Sequence, residues 1–222
     1  MSSARHHRRR FTPFIAVAGL VSAAVLATAT TGVLSGFTAS ITNSNNTVAT
    51  GTLLMSETSG ANTCLSTTSG QIGSNAGTCS TINKFGGATL STPGATASTT
   101  VVIKNVGTLT ANTFTLTPSG CTQTTPAAGT GSDTAFCSKV LVSIEDDTVP
   151  ASPSCILGGT AGSACPATPT ANLTSWATAL SLGPVASNAT KTYKFTVMIS
   201  AAADNTDQGL GASEPLVWAF GS

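Results

Sequence analysis

Few side chains in this sequence could carry out acid–base or nucleophilic chemistry. The two histidines, His6 and His7, lie among the arginines of the first ten residues. If that segment is removed, the remaining chain has no Ser-His-Asp triad, no Cys-His pair and no zinc-binding H-E-x-x-H helix. We therefore predict no catalytic residues and no cofactor, and we expect that the protein is not an enzyme.

Two acidic groups remain as candidates for carboxylate chemistry or for a metal. Residues 145–147 (EDD) are the densest acidic run, and Asp204, Asp207 and Glu214 form a looser group. Carboxylates suit Ca²⁺, but residues 204–209 (DNTDQG) depart from the D-x-[DN]-x-[DN]-G loop at its third and fifth positions. A glycosidase with paired carboxylates is another alternative, although only two Trp and one Tyr are present to stack on a sugar. The simpler interpretation is that residues 145–147 end a strand in solvent, and we predict no metal site.

The cysteines favour structural disulfides. They are Cys64, Cys79, Cys121, Cys137, Cys155 and Cys165. An even number of cysteines in an exported chain is typical of a disulfide framework, whereas zinc sites need C-x₂₋₄-C pairs that are absent here. The sequence alone does not determine the connectivity. We favour the sequential pairs 64–79, 121–137 and 155–165, because each pair brackets a Gly/Ser/Thr/Pro-rich stretch that a local bridge would restrain.

The N-terminal segment is typical of a secretory signal peptide. Residues 1–10 are rich in arginine, residues 14–27 are an apolar run, and small residues follow at once. The run is shorter than the ~20 apolar residues that span a bilayer. Cleavage after Ala29 or after Ser35 satisfies the small-residue rule. We predict a secreted protein with no membrane contact after processing.

Short β-branched runs separated by turn-rich linkers predict an all-β fold. The predicted strands are residues 52–55, 98–105, 112–118, 136–145, 190–200 and 216–220. In the fifth of these, Tyr193, Phe195, Val197 and Ile199 recur at every second position, as in a strand with one buried face. Phe195 and Trp218 are interpreted as core residues.

The segments between the predicted strands indicate the architecture. Residues 98–105 and 112–118 are expected to form a hairpin, residues 58–83 to form a loop, and Asn172 to cap a short helix over residues 173–180. Because no alternation of strands and helices is visible, we predict a jelly-roll or Ig-like antiparallel β-sandwich with disulfide-stapled loop insertions.

Three segments carry a family resemblance. The first joins residues 35–39 (SGFTA), at the predicted signal exit, to residues 47–53 (TVATGTL). The second is residues 102–109 (VIKNVGTL), and the third is residues 203–209 (ADNTDQG). In this order and placement they resemble the TasA/camelysin family of exported proteins, which a SipW-type signal peptidase processes. The composition and the arginine-rich signal suggest an actinobacterial version.

This resemblance implies a jelly-roll-like sandwich and a role in an extracellular fibre, matrix or spore coat. It also implies cleavage after Ser35, which leaves Gly36 at the new N-terminus and makes residues 1–35 the signal peptide. Some members of the family carry a metalloendopeptidase label, but the chain that remains here after cleavage has no histidine ligand. The stapled segments 58–83, 119–137 and 147–171 fall outside the family pattern.

Cleavage after Ser35 would make residues 36–50, here called the donor segment, the start of the secreted chain. In this segment Phe37, Ala39 and Ile41 alternate with polar residues, as in a strand with one apolar face. A free terminal strand can pair with the open edge of a neighbouring sheet. We predict that the donor segment is an assembly strand and that residues 51–222 form the β-sandwich domain. Alternatively, the strand folds back into its own domain.

The leading functional hypothesis is a secreted structural subunit of a cell-surface or biofilm-matrix fibre, which polymerises head-to-tail with itself. The alternative is a monomeric surface adhesin or coat protein that uses the stapled loops as its contact face. A secreted metallopeptidase of the camelysin type is the third hypothesis. Charged residues make up only 8% of the chain and the five lysines are scattered, so we expect no nucleic-acid partner. The expected partners are further copies of the chain and the signal peptidase.

Overall fold

The computed structural model describes residues 47–67, 75–87, 89–125 and 130–222. In these ranges the chain forms twelve strands, one helical turn and one 3-10 helix. The strands are β1 (Met55–Ser59), β2 (Asn62–Leu65), β3 (Thr96–Asn105), β4 (Thr113–Pro118), β5 (Thr122–Thr124), β6 (Val140–Asp146), β7 (Ser154–Leu157), β8 (Ala171–Asn172), β9 (Leu180–Ser181), β10 (Thr190–Ile199), β11 (Gly211–Ser213) and β12 (Leu216–Gly221). The helical turn is α1 (Phe136–Lys139), and the 3-10 helix is Asn205–Asp207.

The predicted cleavage and assembly residues lie outside the described ranges. They are Ser35, Gly36, Phe37, Ala39 and Ile41, so the signal peptide and the donor segment stay predictions. Thr50–Ser222 form one compact unit. No helix in the described part of the chain is long and apolar enough to cross a membrane.

The larger sheet is built around β10. The sheet has the order β2-β1-β3-β10-β6-β7, with β8 also paired to β6, and every pairing is antiparallel. Tyr193 and Phe195 of β10 are fully buried, and Val197 nearly so. The period of two in β10 therefore predicted its inward face correctly, because alternate residues of a strand point to opposite faces of the sheet.

A smaller sheet packs on the inner face of the larger one. It has the order β12-β4-β9, while β5 and β11 form a separate two-stranded ribbon. Phe114 of β4 lies edge-on to Tyr193 with ring centroids 6.0 Å apart. Trp218 of β12 contacts the rings of Tyr193 and Phe195 at 5.4 and 6.1 Å. These contacts join the two sheets through one aromatic core, and the prediction of an all-β sandwich is confirmed.

The predicted hairpin of β3 and β4 is wrong, because these strands belong to different sheets. Asn105, the last residue of β3, is fully buried. Its amide nitrogen donates to the carbonyls of Leu109 and Val185 at 2.8 and 3.0 Å, and its side-chain oxygen accepts from the Gly107 N–H. The hydrogen bonds of Asn105 satisfy backbone groups where the chain crosses from one sheet to the other. The backbone is close-packed here, because a Cβ at Gly107 would collide with the carbonyl oxygen of Thr52.

The first strand lies later in the chain than predicted. Residues 52–54 are not a strand, although the Val106 and Thr108 N–H groups donate to the carbonyls of Leu54 and Thr52. Instead β1 begins at Met55, the last residue of the predicted strand, and forms a hairpin with β2, which lies inside the segment 58–83 that was predicted to be a loop. The sequence of β1, MSETS, contains one apolar residue and so lacks the apolar alternation that predicts a strand.

Two local predictions between β5 and β9 also need correction. The strand predicted from residue 136 starts at Val140, because α1 occupies the preceding residues. No helix follows Asn172. Its side-chain oxygen does accept from the Ser175 N–H at 2.8 Å, as a capping residue would, but the turn ends after Trp176. Burial of the Trp176 side chain, which is 3% exposed, anchors this single turn to the core.

Three disulfides join the cysteines in the predicted sequential order. The bonds are Cys64–Cys79, Cys121–Cys137 and Cys155–Cys165, with sequence separations of 15, 16 and 10 residues. No cysteine of the described residues is free. Disulfides of this kind persist in oxidising compartments.

Candidate binding cleft

A cleft of about 870 Å³ separates the β1–β2 hairpin from β12. On one side it is lined by Met55 and Glu57 of β1, and on the other by residues 214–220, which include most of β12. Residues 82–85, which follow the first disulfide loop, line it between these two sides. We call this feature the edge cleft.

The β12 strand that borders the edge cleft is paired on one side only. It pairs with β4 along its whole length, and the described residues provide no strand on its other side. Leu216, Trp218 and Phe220 alternate on its inward face and pack against the core. Val217, between two of them, is 53% exposed. An unpaired edge with apolar side chains beneath it is a surface to which an extended segment can add as a further strand.

Three side chains connect the walls of the edge cleft. The Lys84 ammonium lies 2.6 Å from Glu57 Oε1, and the two side chains are 11% and 8% exposed. The Trp218 indole N–H donates to the same oxygen at 3.1 Å. The Lys84 nitrogen also stands 5.8 Å from the centre of the indole ring. Trp218 is therefore not only a core residue, as its sequence position suggested, because it is half-buried and lines the cleft.

The Cys64–Cys79 disulfide holds one wall of the edge cleft, and both of its cysteines line it. Two hydrogen bonds to backbone carbonyls attach the neighbouring residues to the chain at the start of β1. The Ser66 N–H donates to the Met55 carbonyl at 2.8 Å, and the Asn75 side chain donates to the Leu53 carbonyl at 2.8 Å. The shape of this wall therefore depends on the bridge as well as on the strands.

The acidic run at residues 145–147 has partners and does not simply end in solvent. The Glu145 carboxylate accepts from the Cys165 N–H at 2.6 Å. Asp146 accepts from the Thr148 N–H at 3.0 Å and lies 3.7 Å from the Lys191 ammonium. The expectation of a solvent-exposed strand end is therefore wrong for these two residues, which are half-buried.

The looser acidic group separates into two structural roles. Asp204 caps the 3-10 helix by accepting from the Thr206 N–H, and Asp207 pairs with the Lys139 ammonium at 2.9 Å. The same ammonium lies 2.8 Å from Asp133. Its hydrogen bond, with that from a backbone N–H, lowers the pKa of the Asp133 carboxyl to about 2. These contacts fasten the start of β6 to the chain segment before β11.

Glu214, like Glu57, borders the edge cleft. Its side chain accepts from the Gly120 N–H at 2.5 Å, while its second oxygen has no hydrogen-bond partner in the described ranges. Burial raises the pKa of this carboxyl, and the bond from Gly120 opposes the shift. No three His, Cys, Asp or Glu side chains of the described residues are grouped so that they could hold a metal ion.

Sequence reasoning missed Glu57 and Lys84. One signal could have identified Glu57, because it is the first charged residue after Arg10. It also lies at an inward position of a strand, where an unpaired carboxylate would be costly. Its partner in the following loop could not be chosen from the sequence, since Lys84 is close to Glu57 only in the folded chain.

No protein-family profile matches the chain, and no curated protein sequence matches it. The resemblance to the TasA/camelysin family therefore depends on the motifs at residues 35–39, 47–53, 102–109 and 203–209. Residues 102–109 contain the Asn105 crossing between the sheets, and residues 203–209 contain the capped 3-10 helix. Both have structural roles that belong to the sandwich.

Proposed function

We propose that the protein is a secreted structural subunit of a cell-surface or biofilm-matrix fibre, with no enzymatic role. In this proposal it polymerises head-to-tail with itself through the donor segment. The observation that carries the proposal is the edge cleft beside β12, since an unpaired strand edge and an apolar groove occur together there. The three disulfides support export, because such bonds form and persist outside the reducing cytosol.

The donor segment has the chemistry that this groove requires. No charged residue occurs between Arg10 and Glu57, and Val48 at the end of the segment is 99% exposed. Burial of Phe37 and Ile41 in a neighbour would contribute ~1.5–3 kcal/mol for each side chain. A ladder of backbone hydrogen bonds with β12 would add to this, against the entropy cost of ordering the segment. Because such a contact is head-to-tail and does not close on itself, it extends into a filament.

The proposal also requires removal of the signal peptide. Cleavage after Ser35, by a SipW-type signal peptidase as in the TasA/camelysin family, would release Gly36 as the new N-terminus. The whole donor segment would then be free to leave its own subunit. Cleavage after Ala29 would add six residues before it without changing its apolar face.

Negative-stain electron microscopy of oxidised, secreted protein tests this function. Two versions of the chain are compared, one starting at Gly36 and one starting at Gly51. We expect filaments from the longer version only. A matched pair of variants locates the contact: F37D/I41D should abolish filaments because both charges lie on the apolar face, whereas T38D/T42D should retain them.

Two results would contradict the fibre proposal. Filaments from the version that starts at Gly51 would exclude the donor segment as the assembly strand. Single-subunit particles from both versions would favour the alternative of a monomeric adhesin or coat protein, and deletion of the stapled loops would then be the next experiment.

A further inference from the structure

The edge cleft contains one pair of opposite charges, Glu57 and Lys84. Glu57 accepts from both Lys84 and Trp218, and both members of the ion pair are almost completely withdrawn from water. The pair has no net charge, and Glu57 Oε1 is contacted by both the Lys84 ammonium and the Trp218 N–H. Where an incoming strand passes Glu57 and Lys84, it therefore meets a part of the cleft that is polar but has no net charge.

We infer that the edge cleft selects an uncharged β-segment, because the pairing of Glu57 with Lys84 leaves this part of the cleft without an available charge. A charged side chain placed against Glu57 and Lys84 loses its water and finds no free counter-ion there, because each member of the pair is already neutralised by the other. An uncharged side chain loses little hydration free energy at the same position. Selection thus arises from the absence of an available partner charge rather than from a specific attraction.

The occupant to which this inference commits is the donor segment of a second copy, and this part rests on the proposed function. The segment has no Asp, Glu, Lys, Arg or His in residues 36–50. Charge is present elsewhere in the described chain, where Lys139 and Lys191 pair with carboxylates. The uncharged stretch that ends at Glu57 therefore matches the part of the cleft that has no net charge.

The test uses the full secreted chain with F37D/I41D, which cannot donate its own segment but retains the edge cleft. The probe is a fluorescent peptide of residues 36–50, and its affinity is measured by anisotropy. Four peptide variants are compared: A39K and A39E introduce a charge on the inward face, whereas S40K and S40E introduce the same charges on the outward face. We expect A39K and A39E to bind about tenfold more weakly than the unsubstituted peptide, and the two controls to bind almost unchanged.

Receptor variants that recover affinity for one charged peptide test the contribution of Glu57 and Lys84. A receptor with Lys84→Met leaves the Glu57 carboxylate without its partner and should regain affinity for the A39K peptide only. A receptor with Glu57→Gln leaves the Lys84 ammonium and should regain affinity for A39E only. The double variant E57Q/K84M again has no net charge in this part of the cleft, so it should bind the unsubstituted peptide and still reject both charged peptides.

The possible failures are distinguishable. Equal binding of all peptides, or recovery by neither single receptor variant, would overturn the inference alone and leave the fibre proposal standing. No binding of the unsubstituted peptide would overturn both. Filaments formed without the donor segment, together with charge-selective peptide binding, would overturn the proposed function and support the inference.

Discussion

Removal of the Cys64–Cys79 disulfide should have two separable effects, one on stability and one on the edge cleft. The variant C64S/C79S opens the loop next to the cleft wall. The matched control is C155S/C165S, which opens a loop beside β7, at the opposite end of the larger sheet. Both changes replace two sulfurs by hydroxyls, and only the first pair of residues lines the cleft.

The expected losses of stability follow from the sizes of the two loops. In the chain-entropy model, a bridge with a sequence separation of 15 residues contributes about 3 kcal/mol to the free energy of unfolding. The separation of 10 residues in the control gives about 2.7 kcal/mol. Because single domains are stable by roughly 5–15 kcal/mol, both variants should remain folded. Their stabilities should therefore differ little from each other.

Binding should distinguish the two variants. With its wall released, C64S/C79S should bind the peptide of residues 36–50 at least about tenfold more weakly, a loss of roughly 1.4 kcal/mol, whereas C155S/C165S should bind it normally. Urea unfolding followed by tryptophan fluorescence gives the stabilities, and peptide anisotropy gives the affinities. Equal weakening of binding in both variants would refute the role of the disulfide wall. A stability loss far below the calculated value in C64S/C79S would refute the loop-entropy argument.

Two further variants test individual buried groups. Tyr193 is fully buried and its hydroxyl has no hydrogen-bond partner in the described ranges. Tyr193→Phe should therefore raise the free energy of unfolding, measured in urea, by about 1 kcal/mol. A lower free energy of unfolding in the variant would reveal a partner for the hydroxyl. Burial raises the pKa of Glu214, so its contribution to stability is present below the pKa of the unfolded chain and is lost as the pH rises through the higher pKa of the folded chain. Glu214→Gln, which keeps an acceptor for the Gly120 N–H, should therefore stabilise the protein at neutral pH and much less at acidic pH. An equal difference at both pH values would contradict this assignment.

Local patterns in the sequence predicted a large part of the fold. The alternation of Tyr193, Phe195 and Val197 identified the central strand, because strand periodicity is a property of neighbouring residues. The disulfide pairs were also predicted correctly, since each bridge closes a short loop. Composition and the six cysteines indicated an all-β chain with stapled loops before any long-range contact was known.

Long-range contacts decided the features that local patterns misplaced. The side chain of Asn105 bonds to Val185, 80 residues away, at the point where the chain leaves β3 for the other sheet and where the sequence suggested a hairpin. Glu57 lies almost completely buried within β1, where Lys84 and Trp218 satisfy its carboxylate. No local pattern contains this information.

The difference between what the sequence determined and what the tertiary structure decided has a physical basis. By itself the sequence determined the strand periodicity, the even set of cysteines and the uncharged stretch before Glu57, because each depends on residue types and short spacings. Only the tertiary structure decided that β12 is an edge strand and that a cleft lies beside it. The bond that crosses this cleft joins Glu57 to Trp218 over a separation of 161 residues, and such a contact forms only when the two sheets pack together.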